Sequence, residues 1–165
     1  MSARLAERGI AAELDSAGLV ASGEEASDGL VDVLREWGVD LAGHRSRLIT
    51  PEAVERADVV LTMEHYQVAE VALIAPEAWG RTFTLREVVR RGQRVGRRGP
   101  NEDLADWFRR LSAGRTRMEL VGAWHLDVAD PAGQGSLVIE RTADEVQSLI
   151  DRLADLAWPK RRARA

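Results

Sequence analysis

Two carboxylates, Asp127 and Asp130, stand in the stretch Trp124-His125-Leu126-Asp127-Val128-Ala129-Asp130-Pro131. A carboxyl group can hand a proton to a leaving oxygen and later take one from water. An Asp before a Pro is also a common way to open a turn. Gly43-His44-Arg45-Ser46-Arg47 offers cations that could hold phosphate oxygens. The simpler reading is a solvated loop whose polar side chains satisfy backbone groups ahead of Pro51. Arg90 to Arg98 could likewise meet an anionic partner, and a solvated surface loop is the simpler account. His65 reads as a helix-start residue and His125, between Trp124 and Leu126, as a packed loop residue. The 3 histidines are scattered and give no metal-ligand spacing. Cysteine is absent, which excludes disulfides, thiolate metal sites and a cysteine nucleophile within these residues.

The element that must position these groups is Ala57-Asp-Val-Val-Leu-Thr-Met63. It is short, β-branched and apolar on both faces, so it reads as a strand buried between two helical layers. Such a strand belongs to a parallel sheet reached by helical crossovers. Chemistry in such sheets gathers beyond the carboxyl ends of the strands, here at Met63-Glu64-His65. Further strands are expected at Ala11–Ser16 and Arg81–Thr84. Helices are expected over Met1–Arg8, from Ser27 or Asp28 to Trp37, after Thr50-Pro51, over Glu64–Ala75, from Leu85 and over Leu104–Leu111. Thr142-Ala-Asp-Glu145 has the form of a capping box and predicts the start of a long last helix that Pro159 stops. Arg90 to Asn101, rich in Arg and Gly, predicts a mobile loop.

A chain of 165 residues suits one domain, expected over 1–158 with a basic tail at 159–165. The formal net charge of -4 argues against nucleic acid as the main partner. No apolar run is long enough to span a bilayer and no signal peptide is seen, so a cytoplasmic location is expected and no membrane partner.

Five segments in order resemble the low-molecular-weight protein tyrosine phosphatases and their arsenate-reductase relatives. They are Asp15-Ser16-Ala17-Gly18, Asp40 to Arg47, Ala57 to Met63, Phe83-Thr84-Leu85-Arg86-Glu87, and Asp127-Val-Ala-Asp130-Pro131 with the helix after it. The resemblance implies an α/β three-layer sandwich with a four-stranded parallel sheet, the phosphotyrosine-phosphatase I-like fold. It implies hydrolysis of a phosphomonoester through a phosphocysteine, no cofactor and no metal. The ligand would be a phosphorylated protein or a small phosphomonoester. Asp130 takes the place of the general acid, with Asp127 a weaker candidate, and Ser16 that of a support to the phosphate-loop backbone. Ala132 and Gly133 follow the Asp-Pro pair where the family often has aromatic residues.

The family's nucleophile sits in a loop of Cys, five residues and Arg between its first strand and first helix. A helix N-terminus and convergent amides there lower the thiol pKa and hold the phosphate. These residues contain no such loop, and Met1 to Gly9 matches the body of that first helix. The expectation is therefore a phosphatase-family domain lacking the N-terminal strand, truncated and inactive as written. The alternative is a non-catalytic phosphate- or partner-binding module of the same fold. Two strand edges, at Ala11–Ser16 and Ala57–Met63, are expected to be left unpaired, with Val59, Val60 and Leu61 wet.

Overall fold

A computed structural model describes residues 1–20 and 22–159. The order is α1 (Ser2–Ala6), α2 (Asp28–Glu36), α3 (Pro51–Arg56), β1 (Val60–Thr62), α4 (His65–Ile74), β2 (Thr82–Thr84), α5 (Leu85–Val95), α6 (Leu104–Ser112) and α7 (Ser136–Ala157). Short 3₁₀ turns lie at Pro76–Arg81, Arg117–Leu120 and Trp124–Leu126. Lys160 to Ala165, most of the expected basic tail, lies outside the described residues.

β1 and β2 pair in parallel, with Val60 opposite Thr82, Leu61 opposite Phe83 and Thr62 opposite Thr84. The run at Val59–Leu61 feeds two different cores, as a strand with a period of two must. Val59 and Leu61 pack on the cluster of Phe83, Val88, Trp107, Leu149 and Leu153. Val60 packs on the opposite cluster of Val54, Val71, Ala75 and Ala78. This is the expected sandwich of helix, parallel sheet and helix.

The expected strand at Ala11–Ser16 does not form. These residues carry no ladder and all are exposed, Leu14 included. A strand is held by its neighbour, and among the described residues none lies beside this segment. Among the described residues, the only β-bridge nearby is an isolated parallel one of Gly18 with Leu48, in which Gly18 N donates to Arg47 O at 2.7 Å. The sheet among the described residues has two strands, where the resemblance implied four. Val59, Val60 and Leu61 are half-buried, neither fully covered nor fully wet.

Two helix boundaries and one cap depart most from the sequence reading. α7 begins at Ser136 behind Gly135, so Thr142 and Glu145 lie within the helix and the supposed capping box caps nothing. Ile139 is buried and lies against Gly29 of α2, which draws the extra turns into the fold. Ser27 stands at the N-cap of α2, but its side chain makes no cap bond. The third difference is the Arg-rich segment, where α5 continues to Val95. The loop after it is pinned, not loose. Arg98 donates to Ala157 O at 2.5 Å and to Glu102 O at 2.6 Å, and Glu102 accepts from Arg110 at 2.7 Å. Arg98 thus caps carbonyls at the end of α7.

Gly92 lies within α5, where a glycine ordinarily weakens a helix. Here it admits a close approach. A Cβ at this position would sit 2.9 Å from Leu156 Cδ1 and 3.3 Å from Trp107 Cζ2. Trp107 is fixed as well, since its Nε1 donates to Gly96 O at 3.0 Å. Gly92→Ala is expected to destabilise the domain by about 1–3 kcal/mol through overpacking, despite alanine's better helix propensity. Urea unfolding measures the change.

Candidate active site

Three consecutive residues of the loop before Asp130 are each tied to the carboxyl end of the sheet. Leu126 O accepts from Thr84 Oγ1 at 2.8 Å, at the last residue of β2. The same hydroxyl accepts from Glu87 N at 3.0 Å and so caps α5. Val128 N donates to Met63 O at 2.8 Å, just past β1. Between them, the Asp127 carboxylate accepts from His65 N at 2.7 Å and lies 2.8 Å from His65 Nδ1.

His65 is the first residue of α4, so Asp127 acts as a cap supplied from a distant loop. A carboxylate is favoured there by the unpaired amides and by the helix dipole. The two side chains are largely buried, at 13% and 14% exposure. Trp124 closes over the imidazole edge-on, with ring centroids 5.1 Å apart. On the other side, Gln67 Oε1 accepts from Met63 N at 2.9 Å and Glu64 N at 3.0 Å. The turn from β1 into α4 is therefore fixed from within and from the Asp127 loop.

After Val128 the restraint changes character. Ala129 and Asp130 are exposed. Asp130 Oδ1 accepts from Ala132 N at 2.9 Å, a local turn of the kind an Asp-Pro pair forms. The loop thus carries an accessible carboxyl two residues beyond its last anchor on the strands.

Ser16 lies in the exposed, unpaired segment; its N donates to Asp15 Oδ1 at 2.8 Å. Among the described residues no hydrogen bond joins Ser16 to Asp130 or to the Asp127 loop. Arg45 donates to His44 O at 2.8 Å and to Glu25 at 2.5 Å, while Arg47 reaches Asp15 and Ser16 O. These bonds are what a solvated loop needs. His125 is exposed, contrary to the packed position expected for it. Thr84 reads in the sequence as the end of a strand and its cap role is missed, although Thr84-x-x-Glu87 has the spacing of a helix N-terminus. The His65–Asp127 pair left no such trace, because its partners are far apart in the chain.

The family model for low molecular weight phosphotyrosine protein phosphatase matches residues 1–114. The chain is 32% identical over 144 residues to the protein-arginine-phosphatase of Geobacillus stearothermophilus, covering 87% of this chain and 75% of that one. It is 37% identical over 59 residues to a putative low molecular weight protein-tyrosine-phosphatase of Klebsiella pneumoniae. That match and one to the Etp phosphatase of Escherichia coli span only 41% and 35% of those relatives' lengths. Among solved structures, the YwlE arginine phosphatase of G. stearothermophilus superposes with a TM-score of 0.63 at 30% identity, over 93% of this chain and 79% of that one. The low molecular weight protein tyrosine phosphatase of T. tengcongensis gives 0.65 at 28% identity, over 93% and 83%. The chain belongs to the low molecular weight phosphotyrosine protein phosphatase family.

Proposed function

We propose that these 165 residues form the acid-bearing body of a low-molecular-weight phosphatase, and that without a thiol they do not turn over a phosphomonoester. The observation that supports this is the three-point docking of residues 126–128 at the carboxyl ends of β1 and β2, with Asp130 exposed just beyond. The reaction in the family needs a thiolate to attack phosphorus as the bond to the leaving oxygen breaks. Asp130 would give its proton to that oxygen. Its carboxylate would then take a proton from water as the water oxygen displaces sulfur from phosphorus. Ser16 would support the backbone of the loop that holds the thiol. The ligand would be a phosphorylated protein or a small phosphomonoester, met in the cytoplasm. Among the described residues no helix is long and apolar enough to cross a membrane. Ala132 and Gly133 put no aromatic ring beside the acid, so a phenyl leaving group would gain no stacking from this loop.

A covalent step would leave phosphorus on the protein. After incubation with an aryl phosphate and a rapid quench, the intact mass of the chain is expected to be unchanged. A phosphoryl adduct on any residue would show another nucleophile and overturn the reading.

A further inference from the structure

We infer that the groove between α5 and α7 is a docking site for an extended acidic peptide segment of a partner protein. The groove has a volume of about 410 Å³, and a second hollow of about 220 Å³ adjoins it, sharing Arg90, His125 and Leu126. Its charge is one-sided. Arg86, Arg90 and Arg94 follow one another at helical spacing along α5, about 6 Å apart per step. Arg152 faces them from α7, and His125 adds an exposed imidazole.

The carboxylates in the walls offset only the Arg86 end of this stripe, because each is already engaged. Glu145 accepts from Arg86 at 2.5 Å. Glu87 is buried and accepts from Arg115 at 2.7 Å, and Glu119 accepts from Arg91 at 2.5 Å. Arg90, Arg94 and Arg152 are exposed and form no ion pair among the described residues. Like charges four apart on a helix repel, and an anion between them relieves that repulsion.

The floor is different. Val89, Leu126 and Leu149 line it and are buried. A basic rim over an apolar floor selects a ligand that alternates acidic and apolar groups. An extended peptide does this, since successive side chains point to opposite sides and alternate ones are about 6.5–7 Å apart. That spacing matches the arginine step along α5. A compact polyphosphate carries the charge but leaves the floor uncovered. The site is separate from Asp130, although Leu126 forms part of its floor and leads directly into the acid loop.

The test is fluorescence anisotropy with the whole chain and a labelled Glu-Leu-Glu-Leu-Glu peptide. Binding is expected to weaken as salt is raised and to be unchanged by Asp130→Ala. Arg90→Glu with Arg152→Glu should weaken it about tenfold or more, as the loss and reversal of two exposed pairs implies. If that double reversal alters the thermal transition, Arg90→Gln with Arg152→Gln gives the same comparison, with an expected loss of about threefold. Equal binding by a folded double variant would overturn the proposal, as would no binding at millimolar peptide. Tripolyphosphate or RNA displacing the peptide at lower concentration than unlabelled peptide would also overturn it, by showing a general polyanion surface.

Discussion

When a strand and a Cys-five residues-Arg loop from an active relative are supplied ahead of Met1, Asp130→Ala is expected to lower turnover of phenyl phosphate by about 10²–10⁴-fold. The size follows from the work asked of the acid. Phenolate is a poor leaving group, and without a proton from Asp130 its negative charge must develop unaided. p-Nitrophenolate needs less help, so the loss on p-nitrophenyl phosphate should be smaller. This dependence on the leaving group separates proton donation from a merely structural role, which would depress both substrates alike. Binding of a phosphate analogue should be nearly unchanged, since the proposed acid, exposed and turned back on Ala132 N, would act on the leaving oxygen and not on the bound phosphate oxygens. Equal losses on both substrates would remove Asp130 from the role of acid.

The second large effect concerns stability. Glu87→Ala is expected to cost about 3–5 kcal/mol. Glu87 is 3% exposed and accepts from Arg115 through both oxygens, each at 2.7 Å, and from Arg91 at 2.9 Å. The Arg115 side chain has no exposed surface and lies 4.0 Å from the Trp79 ring centroid and 4.7 Å from that of Phe83. Burial pulls the Arg115 pKa down from the usual arginine value, and Glu87 opposes that pull. Without Glu87 the cation keeps only Trp79 O, at 2.9 Å, and two ring faces. Arg115, in the loop after α6, thereby ties α5 to the 3₁₀ turn before β2, so loss of the pair would loosen both. Against a typical net stability of about 5–15 kcal/mol, the change could leave much of the protein unfolded. Replacing both residues together, Glu87→Leu with Arg115→Met, should cost less than Glu87→Ala alone, because no charge is left stranded. A urea midpoint that implies a loss of no more than about 1 kcal/mol, the worth of a surface pair, would contradict this.

The sequence was most legible where the information is local. β1 announced itself by a run without polar alternation, Val59-Val60-Leu61-Thr62-Met63, and α3 by Thr50-Pro51, whose hydroxyl does accept from Ala53 N at 3.2 Å. α4 and α6 followed from their apolar spacing. Reading failed where a distant contact decides. Ala11–Ser16, expected as a strand, has no neighbour among the described residues to complete a ladder. Arg90 to Asn101 reads as a loop, but α5 runs on to Val95, with Gly92 admitting Leu156 and Trp107 against it. Gly135 is a weak start signal for α7, and Thr142 a misleading one, because Ile139 and α2 fix where that helix begins. The site divides in the same way. Asp130, the proposed acid, was singled out by its Asp-Pro pair and the order of motifs around it. The His65–Asp127 cap and the Glu87–Arg115 pair join residues 62 and 28 positions apart and cannot be seen from spacing.

Steady-state release of phosphate from p-nitrophenyl phosphate by the purified 165-residue chain is the most direct test of the whole account. With no cysteine in the sequence, the rate should equal that of buffer at every protein concentration. A rate that rises in proportion to the protein, survives further purification and disappears in Asp130→Ala would contradict it.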